Sequence, residues 1–177
     1  VEILNNNSEP WKVTLLETGA DTMTGGRIKK VREIIRGETF FLTYGDGVAN
    51  IDISALLEFH ESHSGSITIT SAQPEGRFGS LDILADNKVK SFKEKPKGDG
   101  SWVNAGYFVC DSKVFDYISD DEQTIFEHEP LINLANDGEL FAFKHNNFWM
   151  PMDTLSDNKK LNLMWANNQA PWKIWEK

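Results

Sequence analysis

The first seventy residues switch repeatedly between extended and helical periodicity, and this alternation constrains the fold more than any other feature. Apolar residues recur at helical spacing in segments 28–35 and 53–60. Segments 13–16 and 67–69 have the pattern of strands, and the apolar run 40–44 is typical of a strand buried on both faces of a parallel sheet. The order strand, helix, strand, helix, strand predicts an α/β protein with a layered sheet and right-handed crossovers.

The second half of the chain continues the mixture of strands and helices without a visible boundary. We expect, in order, a hairpin over 81–92 that turns at Asp86-Asn87, a strand 102–110, helices 112–118 and 125–136, a strand 141–143 and a helix after Asp153. No internal repeat or low-complexity linker interrupts the pattern. Residues 1–177 are therefore expected to form part of one domain.

Charge and composition exclude several classes of function. The chain has 18 basic and 27 acidic residues, a formal charge of -9, which is the wrong sign for neutralising a nucleic-acid backbone. A nucleotide can still bind where a few cations and a divalent metal outweigh the mean charge. No run of about 18 apolar residues suggests a membrane span, and one cysteine, Cys110, cannot form an intrachain disulfide, so we expect a cytoplasmic protein.

The motif Thr-Tyr-Gly-Asp-Gly at 43–47 closes an apolar strand with a carboxylate between two glycines. Ligands of open α/β sheets bind at the carboxyl ends of strands, where glycine lets them approach the backbone closely. Asp46 is thus placed to hold a metal, and the alternative is an ordinary Asp-Gly turn.

A second carboxylate follows Pro-Met at Asp153, directly before the last predicted helix. Asp153 could serve as the N-cap of that helix. The alternative is metal binding, because Mg²⁺ takes one or two protein carboxylates and completes its shell with phosphates and water. Asp46 and Asp153 would supply such a pair.

Charged and polar groups that suit a sugar phosphate or a nucleotide occur in three further segments. In segment 94–97, Glu-Lys-Pro-Lys, the glutamate can accept hydrogen bonds from sugar hydroxyls and the lysine can bind a phosphate as a compact cation; the alternative is a solvated loop. Segment 104–106, Asn-Ala-Gly, offers a docking place for a sugar or contains a bulge. In segment 22–27, Gly25-Gly26 precede a helix whose backbone N–H groups could grip a nucleotide, or they form a turn.

Other reactive residue types predict no separate site. His60 and His63 are three residues apart on one predicted helix, but no further ligand lies near them in the sequence, so we interpret them as ordinary helix residues. Cys110 lies inside an apolar strand and is expected in the core. Six tryptophans are many for this length, and some could dock a neighbouring subunit.

Six motifs together carry a resemblance over nearly the whole chain. In order they are Thr-Gly-Gly-Arg, Tyr-Gly-Asp-Gly, Gly-Arg-Phe-Gly, Glu-Lys-Pro-Lys-Gly-Asp-Gly, Asn-Ala-Gly and Pro-Met-Asp-Thr. In this arrangement the sequence resembles the glucose-1-phosphate cytidylyltransferase family of sugar-phosphate nucleotidyltransferases. The resemblance implies a Rossmann-like mixed sheet flanked by helices, of the nucleotide-diphospho-sugar transferase type.

The resemblance also implies a reaction and a set of roles. Glucose 1-phosphate would attack the α-phosphorus of CTP, giving CDP-glucose and pyrophosphate for polysaccharide biosynthesis, in a protein that forms a homo-oligomer. The implied catalytic residues are Asp46, Lys95 and Asp153, of which the two aspartates would hold Mg²⁺. The implied sugar-binding residues are Glu94, Lys95, Asn104 and Gly106, and the implied nucleotide-binding residues are Thr22, Arg27 and Gly45.

One departure from the family pattern sets a further expectation. The family begins with a strand and a Gly-Gly-x-Gly-Thr-Arg loop that cradles the triphosphate, and this sequence contains no such loop. We therefore expect the C-terminal part of a nucleotidyltransferase domain, lacking its first strands and inactive by itself. Two alternatives stay open, a non-catalytic sugar-phosphate-binding or oligomerising remnant and a metal-dependent glycosyltransferase.

Overall fold

A four-stranded mixed sheet forms the centre of the protein, and the computed structural model describes residues 11–74, 76, 79–97 and 101–175. The strands are β1 Phe40–Thr43, β2 Gly47–Ala49, β3 Ile67–Ala72, β4 Ser80–Ile83, β5 Val89–Lys93, β6 Val103–Cys110, β7 Leu140–His145 and β8 Trp149–Pro151. The helices are α1 Thr24–Lys30, α2 Arg32–Ile35, α3 Ile53–Glu61, α4 Glu129–Asn136 and α5 Leu155–Ala166, with a 3-10 helix Ser112–Tyr117.

The central sheet has the order β1-β6-β3-β7. β6 runs antiparallel to both of its neighbours, whereas β3 and β7 are parallel. The predicted mixed α/β architecture is confirmed. The expectation that 40–44 is buried on both faces is wrong, because β1 is an edge strand of the described sheet and is antiparallel to β6. Its burial alternates along the strand, and Phe41 is 50% exposed.

Helices pack on both faces of this sheet. The side chains of neighbouring β6 residues point to opposite sides, so each face presents apolar groups that a helix can bury. Phe108 packs in the larger core, with Phe115 of the 3-10 helix and Phe126. Val109 packs in a smaller core with Leu56 of α3. The burial of these large apolar side chains is the main stabilising contribution to the fold. Cys110 is fully buried in the larger core, as predicted.

Three local expectations need correction. The helical segment 28–35 is divided at Val31 into α1 and α2, and the chain leaves α2 through Arg36 in a left-handed conformation, with φ 53°. Segment 13–16 forms no strand with any other segment among the described residues. Its apolar side chains are exposed. The helix expected from residue 125 begins only at Glu129, where Pro130 occupies the first turn.

Two antiparallel ribbons of two strands lie outside the central sheet. The β4–β5 hairpin was predicted from its alternating pattern and its Asp-Asn turn, and it is confirmed. The β2–β8 ribbon joins two segments of three residues each that are remote in sequence, and no pattern predicted it. Arg77-Phe78 and 98–100, which complete two of the family motifs, lie outside the described residues.

The last helix, α5, is present as expected, but its apolar residues do not share one buried face. Leu161 is buried, whereas Trp165 is exposed. Within the ranges that the structure describes, none of the helices combines the length and the apolar character that a membrane crossing requires.

Candidate active site

The β2–β8 ribbon brings the two predicted metal ligands to neighbouring backbone positions. Gly47 of β2 lies opposite Pro151 of β8. One step further along, the Met152 N–H donates a hydrogen bond to the Asp46 carbonyl over 2.9 Å. Asp153 directly follows Met152, so two aspartates from opposite halves of the sequence lie at the same end of one ribbon.

The cap of α5 leaves Asp153 out of its hydrogen bonds. Thr154 is the N-cap: its hydroxyl oxygen accepts from the Asp157 N–H, and the Asp157 carboxylate accepts from the Thr154 N–H over 3.0 Å. The interpretation of Asp153 as the N-cap is therefore wrong. In the described part of the chain, neither the Asp46 nor the Asp153 carboxylate accepts a hydrogen bond or forms an ion pair.

The two uncommitted carboxylates suit a hard divalent cation. They provide the oxygen ligands that Mg²⁺ prefers, and their number matches a site that substrate phosphates and water complete. The described residues contain no group of three or more His, Cys, Asp or Glu side chains that could hold a metal without such help. The donor set thus fits Mg²⁺ bound together with a phosphorylated substrate.

Two aromatic side chains tie the ribbon to β6, and sequence reasoning assigned a role to neither of them. The Tyr107 hydroxyl donates to the Gly47 carbonyl over 2.6 Å. The Trp149 indole N–H donates to the Ala105 carbonyl over 2.8 Å. Burial raises the pKa of Tyr107 above its ordinary value, so its hydroxyl keeps its proton for this bond. These contacts fix the position of the residue before Gly47, which is Asp46.

A cavity of about 810 Å³ opens beside the ribbon. Asn104 of β6 and the strand residues Trp149–Pro151 contribute to its wall, and Lys97 lines it from the side of the hairpin. The volume is in the range of pockets that hold small-molecule ligands. Asn104 is thus the predicted sugar-binding residue that reaches this cavity.

Asn104 and Gly106 are organised around Tyr44. The Asn104 amide group donates to the Tyr44 hydroxyl over 3.1 Å and accepts from the Gly106 N–H over 2.8 Å. Gly106 has φ 78°, and a Cβ at this position would lie 2.6 Å from Cδ2 of Tyr44. Only glycine therefore allows both this backbone conformation and the close approach of the ring.

Glu94 and Lys95 lie apart from these groups, at the end of the hairpin. Their side chains are 64% and 62% exposed, with 4.0 Å between the Lys95 ammonium and the Glu94 carboxylate. Neither residue lines the cavity that Asn104 lines. The hairpin does approach it, because a Cβ on Gly76, another lining residue, would lie 2.3 Å from the Pro96 carbonyl oxygen.

Of the three predicted nucleotide-binding residues, two form hydrogen bonds within the protein and the third, a glycine, is open to solvent. Thr22 is buried and donates to the Thr18 carbonyl over 2.6 Å. The Arg27 guanidinium donates to the Thr18 hydroxyl and to the Ala20 carbonyl. Gly45 is exposed, and a Cβ there would meet no atom within 4 Å.

The glycines at the start of α1 have a packing role. The N–H groups of Gly25 and Gly26 donate to the Thr124 carbonyl over 2.9 and 3.3 Å. A Cβ on Gly25 would lie 2.8 Å from that same oxygen. The expectation that these N–H groups grip a nucleotide is corrected, since they already have an acceptor. The alternative of a structural turn into the helix agrees with these contacts.

His60 and His63 belong to a polar network rather than to a metal pair. Both rings contact the Thr68 hydroxyl, at 2.9 Å from His60 and 2.8 Å from His63. His60 also contacts the Asp111 carboxylate at 3.3 Å. The network joins α3 to β3 and to the end of β6, which agrees with a structural role.

Comparison with known proteins defines the class. Residues 5–159 match the nucleotidyl transferase family. A putative glucose-1-phosphate thymidylyltransferase from Bacillus anthracis has the same fold, with a TM-score of 0.65 at 18% identity over 90% of this chain and 65% of that one. The chain belongs to the nucleotidyl transferase family.

Two relatives identify the nearer group. The chain is 51% identical to the glucose-1-phosphate cytidylyltransferase of Salmonella typhimurium, over 99% of this chain and 68% of that protein. It is 46% identical to the probable glucose-1-phosphate cytidylyltransferase of Bacillus subtilis, over 94% of this chain and 65% of that protein. The chain thus spans about two thirds of the length of these relatives, and the resemblance inferred from the motifs is confirmed.

Proposed function

We propose that the protein transfers a cytidylyl group from CTP to glucose 1-phosphate, giving CDP-glucose and pyrophosphate. The observation that carries this proposal is the hydrogen bond from Met152 to Asp46, which pairs the Tyr-Gly-Asp-Gly motif with the Pro-Met-Asp-Thr motif at 2.9 Å. The names of the Salmonella and Bacillus relatives supply the nucleotide and the sugar phosphate.

Asp46 and Asp153 would hold Mg²⁺, which when bound neutralises phosphate charge and orients the reacting groups. Asn104 would meet a sugar hydroxyl from the wall of the cavity. Glu94 would bind another hydroxyl and Lys95 the sugar phosphate, both from the exposed end of the hairpin. Thr22, Arg27 and Gly45 would line the nucleotide side.

The chemistry requires no protein nucleophile. A phosphate oxygen of glucose 1-phosphate forms a bond to the α-phosphorus of CTP, and the bond from that phosphorus to the bridging oxygen breaks. Pyrophosphate leaves with the electron pair. Positioning and electrostatic stabilisation carry most of such a transfer. The protein's task is therefore to hold two polyanions in line, which its paired aspartates and local cations serve.

A second candidate function is the binding of a sugar phosphate without turnover. It is favoured by the cavity of about 810 Å³, whose wall includes the polar side chains of Asn104 and Lys97. In that case the cavity that Asn104 lines would still accept the hexose, and the paired aspartates would hold a metal ion for its phosphate.

One experiment separates the two candidates. The purified protein is incubated with CTP, Mg²⁺ and glucose 1-phosphate, pyrophosphate release is measured, and CDP-glucose is sought by mass spectrometry. UTP, dTTP and GTP in place of CTP test the nucleobase. Turnover with CTP supports cytidylyl transfer. Calorimetric binding of glucose 1-phosphate without pyrophosphate supports the second candidate, and the absence of both rejects each of them.

Three further attributes accompany the proposal. Several large apolar side chains near the C-terminal end are exposed and support self-association: Leu155, Leu163, Trp165, Ile174 and Trp175. Light scattering coupled to size exclusion would measure the number of subunits, and a monomeric mass at high concentration would contradict a homo-oligomer. A cytoplasmic location and a role in polysaccharide biosynthesis stay predictions.

A further inference from the structure

A chain of hydrogen bonds runs from Glu127 to the wall of the cavity. One carboxylate oxygen of Glu127 accepts from the Thr24 hydroxyl over 2.7 Å, and the other accepts from the Tyr44 hydroxyl. The Tyr44 hydroxyl in turn accepts from the Asn104 amide over 3.1 Å. These residues belong to three different motifs, except Glu127, which belongs to none. Glu127 therefore links Thr24 and Tyr44, two motif residues that are remote from each other in the sequence.

The groups at the two ends of this series of hydrogen bonds determine which atom donates and which accepts in each bond. An ionised carboxylate only accepts, so the single Tyr44 O–H proton goes to Glu127. The Tyr44 oxygen can then only accept, which requires the Asn104 nitrogen to face it. Independently, the Gly106 N–H requires the Asn104 oxygen on its side, at 2.8 Å. Both constraints select the same orientation of the amide.

The fixed amide has a defined free donor. An asparagine nitrogen carries two hydrogens, and Tyr44 takes one of them. Asn104 lines the cavity, so the second hydrogen is the donor that it can offer to a ligand there. A flipped amide would place an oxygen where the ligand meets a donor, and it would lose the contacts to Tyr44 and Gly106 together.

The surroundings hold both Tyr44 and Glu127 in place. The Tyr44 ring packs edge-on against Phe108, with 5.7 Å between ring centroids. The Phe126 N–H donates to the Thr24 hydroxyl over 2.9 Å, which directs the hydroxyl proton of Thr24 towards Glu127. Burial, and then the bond to Glu127, raise the pKa of Tyr44 above its ordinary value, so Tyr44 stays a donor to the carboxylate.

We infer that Glu127 is a positioning residue for sugar recognition: acting through Tyr44, it fixes the Asn104 amide so that an N–H donor faces a hydroxyl of the bound sugar phosphate. This inference rests on the proposed function, because it takes a sugar phosphate as the ligand of the cavity. It goes beyond the site residues expected from the motifs, since it assigns a role to Glu127 and to the Tyr44 hydroxyl.

The test compares two tyrosine–carboxylate pairs of the same chemistry. Glu127→Gln leaves one acceptor oxygen for the Thr24 and Tyr44 hydroxyls, which have one each in the parent protein, and Tyr44→Phe removes the hydroxyl that Asn104 contacts. Asp137→Asn and Tyr117→Phe are the matched controls, because the Tyr117 hydroxyl donates to the Asp137 carboxylate over 2.9 Å and neither residue lines the cavity. Thermal unfolding of each variant shows that it is folded before any binding is compared.

The first readout needs no ligand. The side-chain NH₂ signals of Asn104 in ¹⁵N-resolved NMR report whether the amide is held. In the parent protein we expect two separate signals, of which the one from the hydrogen bonded to Tyr44 exchanges slowly with solvent. Both variants of the Tyr44–Glu127 pair should shift the two signals and remove this slow exchange, and the control variants should leave them unchanged. Unchanged Asn104 signals in Glu127→Gln and Tyr44→Phe would overturn the inference.

The second readout is calorimetric binding of glucose 1-phosphate and of its 2-, 3-, 4- and 6-deoxy analogues with Mg²⁺. Loss of one hydrogen bond to a hydroxyl should weaken binding roughly tenfold in Glu127→Gln and Tyr44→Phe. For the analogue that lacks the hydroxyl facing Asn104, the same substitutions should have no further effect. A merely structural role would weaken all five ligands alike, and that result rejects positioning.

Failure of the proposed function has a different signature. If the parent protein binds no glucose 1-phosphate while the NMR signals respond as expected, the sugar-phosphate ligand is wrong, and with it the recognition half of the inference. If the parent protein binds and the variants bind equally well, the proposed function stands and the role of Glu127 is rejected.

Discussion

The two ribbons of this protein have the same architecture and very different surroundings. In the β2–β8 ribbon every residue is half-buried, and Tyr107 and Trp149 bond it to β6. In the β4–β5 hairpin all residues of both strands are exposed. The hairpin carries clear sequence signals, and the ribbon carries none. A strong local pattern therefore does not mark the part of the molecule that is built into the core.

This difference separates the two halves of the proposed site. Asp46 and Asp153 lie at one end of the anchored ribbon, where the hydrogen bond from Met152 to Asp46 holds their backbone segments together. Glu94 and Lys95 follow the exposed hairpin, where few contacts fix their positions. We therefore interpret the metal side as preformed and the sugar-phosphate side as dependent on the ligand.

The largest expected contrast is in stability and compares two phenylalanines. Phe108→Ala removes a side chain that is 0% exposed in the larger core, and it should lower the free energy of unfolding by about 3–5 kcal/mol. Phe92→Ala in the hairpin, where the ring is 58% exposed, should cost less than about 1 kcal/mol. Urea unfolding followed by fluorescence measures both values. Equal costs would show that the hairpin is packed in solution.

The next contrast concerns the carboxylate at the end of the ribbon. Asp46→Asn should reduce turnover about a hundredfold or more, because metal binding supplies several kcal/mol of charge stabilisation. Mn²⁺ binding measured by electron paramagnetic resonance should weaken in parallel, and this readout does not require turnover. The control is Asp86→Asn in the hairpin turn, which should change neither. Retained Mn²⁺ affinity in Asp46→Asn would exclude Asp46 as a ligand.

A smaller effect should follow from loosening the ribbon. Trp149→Phe keeps most of the ring but removes the indole donor to the Ala105 carbonyl, so the free energy of unfolding should fall by about 1–2 kcal/mol. Trp175→Phe, at an exposed position, should stay within about 0.5 kcal/mol of the parent. Chemical denaturation compares the two variants. If their stabilities are equal, the bond from Trp149 does not anchor the ribbon.

The smallest expected effect is a pH dependence that originates beside the sheet. Burial, and then the neighbouring His60, hold the pKa of His63 below 6.5, although Asp111 opposes the shift. Between that lowered value and 6.5 the unfolded chain binds more protons, so stability is full above 6.5 and falls as the pH drops through the lower value. The hairpin strands and their turn contain no histidine and should not contribute in this window.

Differential scanning calorimetry from pH 8 to pH 5 measures this dependence. We expect the melting temperature of the parent protein to decrease below pH 6.5, and the decrease to be smaller in His63→Gln. The difference in melting temperature between the two proteins at pH 8 serves as the baseline, because His63 of the parent protein is neutral at that pH. Identical slopes would show that His63 does not couple folding to protons.

Part of the candidate site was predictable from sequence for a local reason. Asp46 closes an apolar strand, and Asp153 precedes a helix, so each was recognisable from its neighbours. Asn104 lies in an eight-residue strand with a clear apolar pattern. Glu127 gave no such signal, because it lies in a turn before α4 and acts on Tyr44 and Thr24, which are remote in sequence. Its role became visible only in three dimensions.

The sequence by itself determined the mixed α/β class, most of the strands and helices, and the family, because periodicity and motif order are properties of adjacent residues. The tertiary structure decided which strand lies at the edge, how segments 47–49 and 149–151 pair, and which polar groups converge. These outcomes depend on packing between distant segments, where burial and hydrogen bonding outweigh local preference. Phe41, predicted as buried and found half exposed, illustrates the difference.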